Sequence, residues 1–509
     1  MIAEKRSLSL SVVFLLLVGG LALRCPAAED GVSVAKEQPQ PATVDATLMD
    51  EQHSRSDYYE LLDSFVDTLD QIDRNYVKNV DRKRLMEAAI RGMLLELDPY
   101  SNYIPPEQLD QFRSGVEGEF GGIGVQAAID NGILKVISPF VGTPAYRSGM
   151  MADDVILEID GRSTKGITLD QAVRWMKGVV GSEVVLRVRH PDGSEPENIT
   201  LKRERIRVRT VFGHSRNPDD SWRWMYDNEQ KIGYVRISGF SRHTAEELRA
   251  ALEMLTEQGL RGLVLDLRFN PGGLLSAAIE VSDLFVSEGR IVSTEGRNVE
   301  SRAWDAERKG TYDGFPMAVL VNRYSASASE IVAACLQDHQ RAVIVGMRTW
   351  GKGNVQNVIE LADGLSALKL TTANYHRPNG QEIHRFPDSK ETDQWGVTPG
   401  EQFRVSLTRK ERSELMKRQR QVDIVRPQDD ATVAETNEAE TGDTENQHTA
   451  EAKPNAEDTA SETESDDFVD LQLQKALDYL AHTIAVDKKP NDQPSDAQSS
   501  DDVVLEVPE

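Results

Sequence analysis

The chain reads as a multidomain α/β protein. A sheet-and-helix core follows an N-terminal helical region and carries a smaller β-rich domain inserted ahead of it. Three observations lead there. Apolar strand candidates at 232–237, 263–267, 318–321, 342–345 and 367–372 alternate with helical stretches at 245–258, 276–285 and 330–337, the pattern of a central sheet flanked by helices. Between 112 and 207, short β-like runs at 134–137, 155–159 and 184–188 surround one helical stretch at 169–176. With 509 residues the chain has room for two or three domains.

The N-terminus sets the compartment. Lys5 and Arg6 precede an apolar stretch from Leu8 to Leu23, and the small residues Ala27 and Ala28 follow. Residues 1–28 therefore read as a secretory signal peptide, short for a membrane span, with cleavage expected near Cys25-Pro-Ala-Ala. The destination is periplasmic or secreted, or an inner-membrane anchor if the segment stays uncleaved. Arg24 stands where a lipoprotein signal needs a small residue, so Cys25 is not read as a lipid site. The other cysteine, Cys335, lies in an apolar helix, so no internal disulfide is expected.

Residues 29–57 read as a disordered linker and 58–111 as the helical region. There Leu61, Leu62, Phe65, Leu69 and Ile72, then Leu85, Ala88, Ala89, Met93 and Leu94, recur at helical spacing.

At the other end, 409–466 reads as a charged, then acidic, disordered linker. From Asp429 to Asp467 there are 14 Asp and Glu against one Lys, half of the chain's formal charge of −26. The acidity is thus local and says little about substrate, although it argues against a nucleic-acid partner. Phe468, Leu471, Ala476, Leu477, Leu480 and Ile484 predict a helix over 467–486, free to pack on the core or on a partner. Residues 487–509 read as a tail.

The chemistry lies at the ends of the core strands. Ser327, in Ser325-Ala-Ser327-Ala-Ser329-Glu330, falls between the apolar run 317–321 and the helix-like run 331–336. Helix amides at such a turn favour developing negative charge. Lys352, 25 positions on, sits in Gly351-Lys352-Gly353-Asn354-Val355-Gln356. A neutral lysine can take a serine's proton. Bringing it from ~10.4 to about 7–8 costs roughly 4 kcal/mol, which burial among apolar neighbours can impose. Gln356 could fix the amine by a hydrogen bond. Spacing alone leaves an inert pair equally open. A third segment, Leu263 to Gly273, is a strand running into Asn270-Pro271-Gly272-Gly273, where glycine lets backbone amides point inward.

These segments resemble the carboxyl-terminal processing (tail-specific) peptidase family over residues 58–408. The resemblance implies Ser327 as nucleophile, Lys352 as base, Gln356 as its orienting partner, and the amides of Gly273 and Ala328 as oxyanion hole. It makes 208–408 a serine protease core. It makes 112–207 a PDZ domain, on the strength of Phe120-Gly121-Gly122-Ile123-Gly124-Val125 and of Ser148 through Gly161. Amides of Gly122, Ile123, Gly124 and Val125 would hold a substrate's terminal carboxylate while its last residues add to the sheet edge. The family implies protein substrates with apolar C-termini and leaves room for an adaptor or activator. Its members use the helical region to dimerise, so a homo-oligomer is expected. No cofactor or metal is expected.

Asp266 and Arg268 read as structural ion-pair partners, and Glu330 as a helix cap or a family glutamate. Two lookalikes fail. Gly346 to Lys352 nearly spells a phosphate loop, but Gly353 replaces the Ser or Thr that holds magnesium. Ser366-Ala-Leu-Lys369 spells the penicillin-recognising motif inside an alternating β-rich run. Against the family pattern, Gly400 stands where aspartate is usual, Tyr324 replaces a small residue, and the stretch between Gly380 and Gly396 is longer. None of the nine histidines, His243, His339, His376 and His384 among them, falls where a serine–histidine triad needs one. The alternative function is a catalytically silent PDZ scaffold that binds protein C-termini. A hydrolase acting on a non-peptide ester is a weaker third.

Overall fold

The computed structural model describes residues 55–361, 364–425 and 468–487. The expected signal peptide, most of the linker after it, the acidic stretch and the tail lie outside them.

Four parallel strands, Ile232–Ile237, Gly262–Asp266, Met317–Val321 and Ala342–Gly346, form the centre of the core, with Val211–Phe212 antiparallel at one side. Every residue of the first three is buried, which is why they read as unbroken apolar runs: a parallel sheet is covered on both faces. The strand period of two divides them cleanly. Val235, Ile237, Leu263, Leu265, Val319 and Val321 join the cluster with helices Thr244–Glu257, Leu275–Asp283 and Ala328–Asp338. The alternating set, Ile232, Tyr234, Val264, Ala318, Leu320 and Val345, is covered by Ala476, Leu480 and Ile484 of the C-terminal helix Leu471–Asp487. That helix therefore belongs to the core, the alternative its sequence left open.

A second sheet stands beside the first. Its order is Asn102–Ile104, Ala367–His376, Arg290–Gly296, Val299–Asp305, with Asn354–Glu360 also paired to Ala367–His376. The short strand Asn102–Ile104 comes from the expected N-terminal region, so that region contributes to the core sheet directly.

The β-rich domain has its own core, built on Val125–Asp130, Ile133–Pro139, Val155–Ile159, Glu183–Arg189 and Glu197–Lys202. Glu183–Arg189 alternates strictly between exposed and buried, the mark of a half-covered antiparallel strand. Helix Leu169–Met176 opens on a reciprocal Thr168–Gln171 capping box. Strands Glu119–Gly122 and Glu204–Arg207 pair antiparallel to form the neck.

Three boundaries need correction. Helix Arg55–Asn75 begins inside the stretch expected as linker. The line drawn at 111/112 falls inside helix Pro106–Glu117, which ends at Gly118 with φ 69°. The linker expected over 409–466 begins as a helix, Arg409–Asp423. Nine of its fifteen residues are charged and only Leu415 is buried, so no apolar stripe announces it. Local and tertiary bonds hold it instead. Thr408 and Glu411 form a capping box, Arg216 donates to the carbonyls of Val422 (3.1 Å) and Asp423 (3.0 Å), and Asp423 pairs with Arg236.

Candidate active site

Ser327 is the first residue of the turn into helix Ala328–Asp338, with φ 56° and ψ −116°. A non-glycine residue there stores strain of order 1–3 kcal/mol, and such strain gathers at functional sites. The side chain is 1 % exposed. Its Oγ has no hydrogen-bond partner among the described residues, unusual for a buried hydroxyl.

Lys352 lies in the loop between strands Ala342–Gly346 and Asn354–Glu360. Its Nζ donates to Gln356 Oε1 at 2.7 Å and stands 5.3 Å from the centre of the Tyr100 ring. Burial first, then the nearby Lys369 charge, lowers the amine to about 8, against smaller opposing pulls from Glu330 and Asp98. At that value a useful fraction is neutral near physiological pH. The Ser327–Lys352 hydrogen bond is not made in this conformation, as the unpartnered Oγ shows. Catalytic bonds commonly tighten only around substrate.

What ties the two turns together is Glu330, which is 0 % exposed. Its carboxylate accepts from Ser327 N (2.8 Å), Thr349 Oγ1 (2.6 Å), Gly351 N (2.6 Å) and Lys352 N (2.8 Å). Burial pushes its carboxyl up, opposed by those four bonds. The capping expected of Glu330 is present, and the same carboxylate also anchors the lysine loop.

The glycine turn packs against the serine turn. Asn270 accepts from Ala326 N (3.0 Å) and Ser329 Oγ (2.8 Å) on its carbonyl, and its own Nδ2 donates to Ile237 O (2.8 Å). A Cβ on Gly273, at φ 152°, would lie 2.0 Å from Phe240 O, and one on Gly272 would lie 2.8 Å from Ser327 Cβ. Only glycine fits either place. Among the described residues neither the Gly273 nor the Ala328 amide donates a hydrogen bond. Asp266 and Arg268 are a buried ion pair at 2.6 Å, with Asp470 of the C-terminal segment as a further partner at 2.8 Å.

The lookalikes resolve structurally. Gly346 to Lys352 leads into a strand, not the helix a phosphate loop needs. Ser366 immediately precedes strand Ala367–His376, and Lys369 lies within that strand near its start. His384 approaches Asn354, 3.5 Å from its Nδ2. Gly122 ends the neck strand, Ile123 is buried in the β-rich domain, Gly124 turns at φ 80°, and Val125 starts the next strand. The site also holds residues the sequence did not point to. Tyr100 reaches Lys352, and Thr371 contacts Gln356 Nε2 at 3.4 Å; Tyr324, noted in the sequence as a departure, stacks on Phe269 at 5.8 Å.

The profile of peptidase family S41 matches residues 231–399, that of a PDZ domain 138–190, and that of the activating protease CtpB N-terminal domain 30–108. A carboxy-terminal-processing protease of Bartonella bacilliformis is 40% identical over 346 residues, 67% of this chain and 74% of that protein. A probable CtpA-like serine protease of Staphylococcus aureus is 37% identical over 316 residues, 62% of this chain and 60% of that protein. Among solved structures, the photosystem II D1 C-terminal processing protease is 30% identical, covering 69% of this chain and 86% of its own, with a TM-score of 0.39. The chain belongs to peptidase family S41, the carboxy-terminal-processing proteases, and is a serine-type peptidase with a PDZ domain.

Proposed function

We propose that this protein is a secreted, periplasmic endopeptidase that captures protein C-termini on its PDZ domain and cleaves them with a Ser327–Lys352 dyad. One observation carries this reading: a strained, buried, unpartnered serine and a lysine lowered to about 8 are tied through one buried glutamate. The apolar stretch Leu8–Leu23 supports secretion. No described helix is long and apolar enough to cross a membrane.

Lys352 first moves from Gln356 toward Ser327. The neutral amine takes the Oγ proton as Oγ attacks the scissile carbonyl carbon. The amides of Gly273 and Ala328 receive the oxyanion. Lys352 then returns the proton to the leaving amine, and the acyl group stays on Ser327 as an ester. Next, Lys352 deprotonates a water, which attacks the ester carbonyl, and Lys352 returns that proton to Ser327 Oγ as the new C-terminus leaves. Gln356 holds the amine between steps. The amides of Gly122 to Val125 supply the carboxylate seat for the substrate tail. An adaptor or activator would act on capture, not on these steps.

The direct test is cleavage of an unfolded reporter with an apolar C-terminus by the chain lacking residues 1–28. Ser327→Ala and Lys352→Ala are each expected to remove cleavage while leaving unfolding transitions in place. Undiminished cleavage by Ser327→Ala contradicts the assignment. Tight reporter binding without cleavage by the unmutated protein points to the silent scaffold.

A further inference from the structure

Gln356, which accepts from Lys352 at 2.7 Å, is itself in contact with Thr371 and Asn354 of the core sheet at 3.4 Å, and Thr371 is in turn held by residues from the N-terminal side of the PDZ domain. Asp98 and Ser101 close the loop between helix Arg82–Leu97 and strand Asn102–Ile104. That strand pairs with Ala367–His376, placing Asn102 opposite Lys369. Thr371 of the same strand is opposite Gln356. The Asp98 carboxylate accepts from Tyr100 N, Ser101 N and Ser101 Oγ, each at 2.7 Å. Ser101 Oγ, its proton spent on Asp98, accepts from Thr371 N at 3.1 Å.

The polarity of this chain of bonds is fixed by its end. A carboxylate only accepts. Ser101 Oγ also lies 3.5 Å from Thr371 Oγ1, as a weak second donor to it. Thr371 Oγ1 is then an acceptor for Gln356 Nε2 at 3.4 Å, and Asn354 O is a second at 3.4 Å. With Nε2 so engaged, the Gln356 amide must turn Oε1 to Lys352 Nζ, at 2.7 Å. The reverse flip would set an N–H donor against the amine. Burial pushes the Asp98 carboxyl up, but the bonds from Ser101, Tyr100 and Thr371 outweigh it and leave it below the usual range.

We propose that Asp98, Ser101 and Thr371 form a positioning relay that fixes the Gln356 amide, and through it Lys352, so that the N-terminal helical region supplies part of the active site. The relay rests on Lys352 being the base. None of its members touches the reacting atoms. Its effect is on where the amine waits and which way its lone pair faces.

The test measures kcat and KM against pH for the reporter in the full-length chain, for Thr371→Val, Thr371→Ser and Lys352→Ala. Thr371→Val keeps the strand's β-branched shape and deletes the hydroxyl. It is expected to lower kcat about tenfold or more, since small misplacements of reacting groups are costly, with KM little changed. Its acid limb should move to lower pH, because Lys352 loses a fixed acceptor. Thr371→Ser should recover most of the rate and the original limb. An unchanged kcat in Thr371→Val overturns the relay, as does a loss that Thr371→Ser fails to recover or that leaves the limb in place. If Thr371→Val does not fold, Asp98→Asn reads the relay from its other end. It should lower kcat without raising KM, and an unchanged kcat overturns the proposal. Cleavage retained by Lys352→Ala defeats the dyad itself. An inactive Lys352→Ala beside an unaffected Thr371→Val defeats the relay alone.

Discussion

Lys352 is lowered to about 8 chiefly by burial, and next by the charge of Lys369. Lys369 is itself half-buried and pushed down by burial, against a smaller pull from Asp98. Both effects favour the neutral amine that a general base requires. The pH dependence follows. Reporter cleavage should rise with pH as Lys352 loses its proton, with an acid limb near 8 in kcat/KM. Replacing Lys369 by Met removes a positive neighbour, which makes the ammonium form easier to keep, so the limb should move to higher pH. A limb that stays in place or moves down in Lys369→Met contradicts this electrostatic reading. Ser327, Lys352 and the glycine turn could be singled out in the sequence from a turn, a strand end and a run of small residues, but their spacing left an inert pair equally open and only the family resemblance implied their roles. Thr371 could not be, because a threonine on an alternating strand reads as ordinary β structure until the register puts it opposite Gln356.

Among the elements, the serine turn and the lysine loop are 25 residues apart in sequence and share no strand pairing of their own. Glu330 joins them through four hydrogen bonds. Glu330→Gln keeps the volume but brings an NH2 against several N–H and O–H donors, leaving buried groups unpaired at about 1–3 kcal/mol each. The expected result is an unfolding midpoint at lower urea concentration and cleavage reduced by about a hundredfold or more. Unaltered cleavage at unaltered stability would show that the two turns hold their places without it. The parallel strands were readable because burial on both faces makes them continuous apolar runs. Helix Arg409–Asp423 was not, because its stability comes from Thr408, Arg216 and Arg236 and not from an apolar stripe. The C-terminal helix showed its spacing but not its partner. Only the alternation of Tyr234, Val264 and Leu320 onto the second sheet face reveals that its apolar side has a place to go.

Over the whole molecule, the PDZ domain is attached by more than its neck. Tyr146 donates to Asp220 Oδ2 at 2.8 Å, and Val425 N donates to Ser138 Oγ at 2.9 Å. Helix Arg409–Asp423 thus ends against the domain that would receive the substrate tail. The N-terminal helices contrast with this closure. Leu61 is 67% exposed and Leu95 is 73% exposed, with Tyr58, Tyr59, Val66, Met93 and Leu97 also outside any core. An apolar face of that extent marks an interaction surface, and a second copy of this chain is the occupant proposed for it. Sedimentation should find a dimer at micromolar concentration, and Leu61→Glu with Val66→Glu should yield monomers. A monomer in the unmutated protein would leave that face to another partner. The central claim remains the acylation of Ser327. Its most direct measurement is peptide mapping by mass spectrometry after reaction with a serine-directed fluorophosphonate. One adduct is expected, on Ser327, absent from Ser327→Ala and strongly slowed in Lys352→Ala. An adduct on any other serine, or labelling as fast in Lys352→Ala as in the unmutated protein, would contradict the dyad.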